Sequence, residues 1–128
     1  MTTPRFELRS TVLGTPDPRG LASFYRALLD WDLIEEEDDW VVLKPRGNRD
    51  GTGLSFQLEE RHVPPTWPAA EGDQQMQLHL DIGVQDLEAE VARAEGLGAR
   101  RADWQPQDDV RVMLDPAGHP FCLFAPGG

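Results

Sequence analysis

Ser10-Thr-Val-Leu-Gly-Thr-Pro-Asp17 and His79-Leu-Asp-Ile-Gly-Val-Gln-Asp86 open the two halves of the chain in the same way: a strand-like run reaches an aspartate, and an amphipathic segment follows at once. A chain that repeats one supersecondary plan is restricted to folds that use that unit twice. Asp17 and Asp86 are placed to cap a helix, because a short carboxylate side chain accepts from the free N–H groups of a first helical turn. Pro18 falls at the first helical position, where its missing N–H costs nothing. Leu21, Phe24 and Leu28 in one half, and Leu87, Val91 and Ala94 in the other, recur at helical spacing. Chain reversals follow at Asp30-Trp31 and at Gly96-Leu-Gly98, where aspartate and glycine tolerate a left-handed backbone.

After each amphipathic segment the pattern turns strand-like, over 31–36, 40–44 and 53–59 in the first half and 99–104, 110–114 and 120–124 in the second. Strands over 5–13 and 75–84 precede the helices, so each half reads strand–helix–strand–strand–strand. The fold class is therefore α+β, built from two βαβββ modules. Residues 37–39 suit a hairpin, Asp115-Pro-Ala-Gly118 suits a tight turn, and 44–53 suits an exposed loop. The modules cover 5–60 and 75–125, joined by a linker over 61–74 that contains Pro64, Pro65, Pro68 and Gly72. A chain of 128 residues fits a single domain over 1–128.

Alternation assigns faces to the strands. Met76, Leu78, Leu80 and Ile82 alternate with Gln75, Gln77, His79 and Asp81, and the apolar set is expected to face the helix. Leu54, Phe56 and Leu58 alternate with Ser55 and Gln57 in the same way, which predicts Gln57 and His79 on one side of the sheet. A polar strand face of that kind suits a binding cleft as well as a solvated sheet.

Charge and cysteine usage exclude several classes. Twelve Lys and Arg stand against 23 Asp and Glu, a formal charge of −11, so a phosphate lattice or an anionic membrane surface is repelled and no nucleic-acid or membrane partner is expected. Cys122 is the one cysteine, which excludes an intrachain disulfide scaffold. The first ten residues carry charges where a signal peptide needs an apolar core, and no apolar run approaches the ~20 residues of a membrane span, so a cytoplasmic protein is expected. Glycine-rich phosphate loops, nucleophile elbows and catalytic triads have no support in the pattern.

The remaining candidates have two readings each. His79 on a polar strand face can orient a ligand or shuttle a proton, or it can simply be satisfied by Asp81 or a backbone carbonyl. His119 follows the Asp115–Gly118 turn and is best explained by turn geometry, and His62 is assigned nothing. Of the four tryptophans, Trp31 reads as core and Trp40 as a strand residue, whereas Trp67 in the linker and Trp104 near a strand end are candidates for a pocket or a dimer contact. Glu35-Glu-Glu-Asp-Asp39 lacks the spaced ligands of a calcium loop and reads as a solvated hairpin.

The order of these motifs resembles the vicinal oxygen chelate superfamily of glyoxalases, bleomycin-resistance proteins and dioxygenases. The matching stretches are Thr15-Pro-Asp-Pro18, Phe24-Tyr25 with Leu28-Leu-Asp-Trp31, Leu78-His-Leu-Asp-Ile82, Asp86 and Asp115-Pro-Ala-Gly118. The resemblance implies a curved mixed sheet with a concave cleft, a homodimer, and metal-ligand places at Ser10, Gln57, His79 and Cys122. Of these only His79 is a usual ligand and Gln57 an occasional one; Ser10 stands where histidine is common and Cys122 where glutamate is common. A catalytic dication needs about three protein ligands and an open position. The expectation is therefore a small-molecule-binding protein of the glyoxalase/bleomycin-resistance type with no cofactor and no metal, its ligand contacts drawn from Ser10, Gln57, His79, Cys122, Trp67 and Trp104. The alternative is a metal-dependent lyase, isomerase or dioxygenase that holds its ion with His79, Gln57 and Cys122. Cys122 can equally be a small buried strand residue.

Overall fold

The computed structural model describes residues 5–125. By its internal contacts the chain divides into two compact units, Met1–Glu60 and Arg61–Gly128, each an α+β module with one helix and one four-stranded mixed sheet.

Unit 1 runs β1 (Ser10–Thr15), α1 (Pro18–Leu29), β2 (Asp32–Glu36), β3 (Trp40–Lys44) and β4 (Gly53–Leu58), with sheet order β1-β4-β3-β2. β1 pairs β4 in parallel and the other neighbours are antiparallel. The cap forms as the sequence predicts: the Asp17 carboxylate accepts from Gly20 N–H at 3.0 Å, and Pro18 is the first helical residue. α1 ends where Asp30 takes a left-handed conformation, φ 57° and ψ 46°, with its carboxylate held by Arg46. The apolar face of α1 buries Leu21, Phe24 and Tyr25 on the sheet, where the Tyr25 ring stacks on Phe56 at 5.8 Å. Each such fully buried side chain contributes about 1.5–3 kcal/mol. Residues 35–39 form the expected solvated hairpin, with Glu36 and Asp38 paired to Arg19.

Unit 2 repeats the plan with β5 (Leu80–Gly83), α2 (Leu87–Gly96), β6 (Arg100–Arg101), β7 (Val110–Leu114) and β8 (Pro120–Phe124), in sheet order β5-β8-β7-β6. Asp86 caps α2 by accepting from Ala89 N–H at 3.2 Å. Val91 and Ala94 are the buried residues of α2. The β7–β8 turn is built on buried Asp115, whose carboxylate accepts from Ala117 N–H at 2.9 Å and His119 N–H at 3.0 Å. His119 is thus placed by turn geometry, as expected. Gly118 has φ +87°, and a Cβ there would lie 2.7 Å from Pro64 Cβ, so this glycine lets the 61–68 segment pack against the turn. His62 joins the same contact, its Nε2 sharing a hydrogen bond with Ala117 C=O at 2.8 Å.

Several strands are shorter than the sequence suggests, each for lack of a partner. β1 starts at Ser10 rather than residue 5 because its partner β4 starts at Gly53, opposite Ser10. Phe6 and Leu8, read as strand residues, are exposed. β5 starts at Leu80 rather than residue 75; it pairs with Phe121, and the preceding Pro120 has no N–H for another rung. Leu78, expected to face the helix, lies outside the strand and is exposed. Trp31 is half-buried rather than core. Lys44, where the expected strand 40–44 meets the expected loop 44–53, is the buried end of β3, and its ammonium donates to Arg9 C=O and Gly51 C=O, each at 2.9 Å.

β6 has two residues where six were expected. Its ladder with β7 gives way to a side chain: Gln105 Nε2 donates to Val112 C=O at 2.8 Å, and Val112 N–H donates to Gln105 Oε1 at 2.9 Å. The amide imitates a peptide group on the β7 edge and fixes the loop that carries Trp104.

Candidate functional site

Strand parity in unit 2 separates two faces. Phe121 and Leu123 are buried, as is Met113 opposite Phe121, and Leu80 and Ile82 share their parity on β5. On the other face the ladder sets Asp81, Cys122 and Val112 side by side across three strands, with Val110 beside Phe124 in the next row. These residues line a cavity of about 390 Å³, together with Trp67, His79, Trp104, Pro106 and Gln107. That volume falls in the ordinary range of small-molecule pockets, roughly 300–1,000 Å³.

The walls come from irregular segments that the sheet holds in place. Trp67 follows Thr66, which bridges to Gln75, and its indole stacks on His79 with centroids 4.7 Å apart and planes 25° apart. Trp104 meets Trp67 edge-on at 4.9 Å, carried by the loop that Gln105 ties to β7. A second cavity of about 240 Å³ shares Trp67, Trp104 and Val112 as lining. His79 Nε2 lies 3.2 Å from Asp81 Oδ1, so this carboxylate orients the ring. Cys122 is buried, and burial first, then the Asp81 carboxylate, pushes its thiol from 9.0 up to about 11. A thiol held protonated in this way is a poor nucleophile at neutral pH.

The predicted site residues separate by unit. His79, Cys122, Trp67 and Trp104 are brought together in one pocket of unit 2. Ser10 and Gln57 belong to unit 1, where they sit at opposite ends of the β1–β4 pair: Ser10 is opposite Gly53 and Gly14 is opposite Gln57. Gln57 is exposed, and its amide donates to Glu59 at 2.8 Å. Register also shows which residue of unit 1 corresponds to Cys122. Val12 and Asp81 stand at the same distance before their helix caps, and their β-partners are Ser55 and Cys122. The counterpart of Cys122 is therefore Ser55, not Gln57. Ser55 is buried, and its hydroxyl hydrogen-bonds that of Ser10 at 2.6 Å.

Asp81 is the site residue that sequence reasoning left in a supporting role. The available signal was its parity with His79 on the polar strand face.

The donor set bears on the metal that the resemblance implies. The ligand atoms of His79, Asp81 and Cys122 all lie within 4.8 Å of one another. An imidazole, a carboxylate and a thiol suit a borderline-soft dication such as zinc, provided the ion displaces the thiol proton. The unit 1 hydroxyls of Ser10 and Ser55 are neutral, bonded to each other and poor ligands. The residues of unit 2 fit a dication; those of unit 1 do not.

The sequence model of one family, described as a glyoxalase-like domain, matches residues 10–124. No curated protein matches the chain. Among solved structures, a glyoxalase/bleomycin resistance protein/dioxygenase family enzyme from Burkholderia phytofirmans PsJN aligns at 15% identity and TM-score 0.69, covering 92% of this chain and 97% of that one. A protein from Agrobacterium tumefaciens aligns over 100% of both chains at 22% identity and TM-score 0.67. A glyoxalase family protein from Enterococcus faecalis aligns at 19% identity and TM-score 0.65, covering 92% and 96%. At these identities the likeness is one of fold.

Proposed function

Because the chain belongs to the glyoxalase-like domain family, within the vicinal oxygen chelate superfamily, we propose that it is a small-molecule-binding protein of the glyoxalase/bleomycin-resistance type that works without a bound metal. The observation that carries this reading is the unit 2 pocket, where Trp67 stacks on His79 and meets Trp104 above an apolar floor. Large rigid aromatic walls with a few polar groups are what a compact organic ligand needs for both area and orientation. Ser10 and Gln57 are not among the lining residues of this unit 2 pocket. A thermal-shift screen of small organic ligands tests it, with wild type and Trp104→Ala compared. Hits on the wild type that disappear in the variant support the pocket; hits that survive equally in both remove it.

A second reading rests on the three-donor set. His79, Asp81 and Cys122 would hold a zinc-class ion, with Asp81 in place of the Gln57 of the sequence-based expectation. Such an ion supplies Lewis-acid polarisation of a substrate oxygen when bound. The chain's own part is to fix the imidazole through Asp81 and to exclude water with the two indoles. Elemental analysis after incubation with Zn²⁺, Ni²⁺, Mn²⁺ or anaerobic Fe²⁺ and desalting decides between the readings. Near one metal per chain, lost in His79→Ala, would replace the metal-free reading.

The reading also takes the protein to be a cytoplasmic homodimer, with the dimer implied by the family. Sedimentation equilibrium tests it: a mass near 14.3 kDa, that of one chain, would remove the dimer.

A further inference from the structure

We propose that the unit 2 pocket selects a flat organic cation: a conjugated or aromatic ring system that carries a fixed positive charge. The inference rests on the small-molecule reading above and names the ligand class for that site. Three observations converge on it.

The apolar lining sets the body of the ligand. Val110, Val112 and Phe124 form a sheet-borne floor, and Trp67 and Trp104 supply rigid planar walls. Surfaces of this kind favour a flat apolar body over a branched or heavily hydroxylated one, which would leave its polar groups without partners.

The charged lining sets the sign. Asp81 is the carboxylate of the pocket, its side chain 63% exposed, and no lysine or arginine stands among the lining residues. An anion would meet this carboxylate with only His79 to offset it, and His79 is already directed to Asp81. A cation gains both the carboxylate and the electron-rich indole faces, tryptophan being the best aromatic partner for positive charge. The chain's formal charge of −11 adds a long-range field that raises the encounter rate of cations.

Three probes of one shape and different charge test the inference by isothermal titration calorimetry at pH 7.5: N-methylquinolinium, neutral quinoline and anionic quinoline-2-carboxylate. The expected order is cation, then neutral, then anion, with the cation at least about tenfold tighter than quinoline. Asp81→Asn should weaken the cation by a larger factor than quinoline and so narrow the gap between them. Trp104→Phe, which keeps an aromatic wall but a weaker cation–π partner, should weaken the cation by a larger factor than quinoline. Equal binding of all three probes, or tightest binding of the anion, overturns the cation inference and leaves the small-molecule pocket standing. Binding of none by the folded wild-type protein overturns the inference and the pocket together.

Discussion

Cys122 and Asp81 face each other across the β5–β8 ladder, and the pairing defines what each can do. The thiol is buried beside a carboxylate, and its pKa is pushed up to about 11. Its reaction with iodoacetamide in the native protein at pH 8 should be at least about tenfold slower than in the unfolded chain, because the thiolate is the nucleophile. Pseudo-first-order alkylation followed by mass spectrometry checks this; equal rates would mean that the thiol is open and ionisable. The same shift has a sign for stability. The unfolded chain loses this proton from about pH 9 and the folded chain holds it, so stability declines as pH rises through the window from 9.0 to about 11. Cys122→Ala should flatten that part of the thermal-midpoint profile. Parity made His79 legible in the sequence as a polar-face residue, and the same pattern held Asp81. The correspondence between β4 and β8 was not legible, because it depends on parallel pairing with β1 and β5, which alternation alone does not reveal.

At the scale of elements, both helices follow from local chemistry. Asp17 and Asp86 cap them, Pro18 opens the first, and Asp30 closes it in a left-handed turn. The edge of β6 does not follow from local chemistry, because its end is set by the side chain of Gln105. Gln105→Ala leaves Val112 N–H without that partner, while Val112 C=O keeps Ala102 N–H at 3.0 Å, and is expected to cost about 1–3 kcal/mol in urea unfolding. It should also release Trp104 from its place against Trp67, read as a red-shifted tryptophan emission. Unchanged stability and emission would show that the loop is held by other contacts. Strand ends were the least legible feature for the same reason: β1 and β5 stop where their partners stop, not where their own β-forming residues run out.

The molecule as a whole carries −11 formal charges, and self-repulsion at low ionic strength works against any compact state. Raising NaCl from about 0.01 M, where charges interact over ~30 Å, to about 1 M, where the reach is ~3 Å, should raise the thermal midpoint by a few degrees. A fall in the midpoint would mean that the surface ion pairs outweigh the net repulsion. The Arg101 and Arg111 pairs with Glu88 are exposed enough for each to contribute at most about 1 kcal/mol, so the net charge is expected to dominate.

The duplication, the order of elements, the helix caps and the Asp115–Gly118 turn were determined by the sequence alone, because each depends on residues close together in the chain. Tertiary structure decided the site. Trp67, His79, Trp104 and Cys122 come from four separated segments, and what joins them is a strand register, a glutamine that stands in for a strand, and a proline packed against a glycine turn. Those contacts depend on which strands meet and where each ladder ends. That information lies in the packing of distant residues, which hydrophobic periodicity does not record.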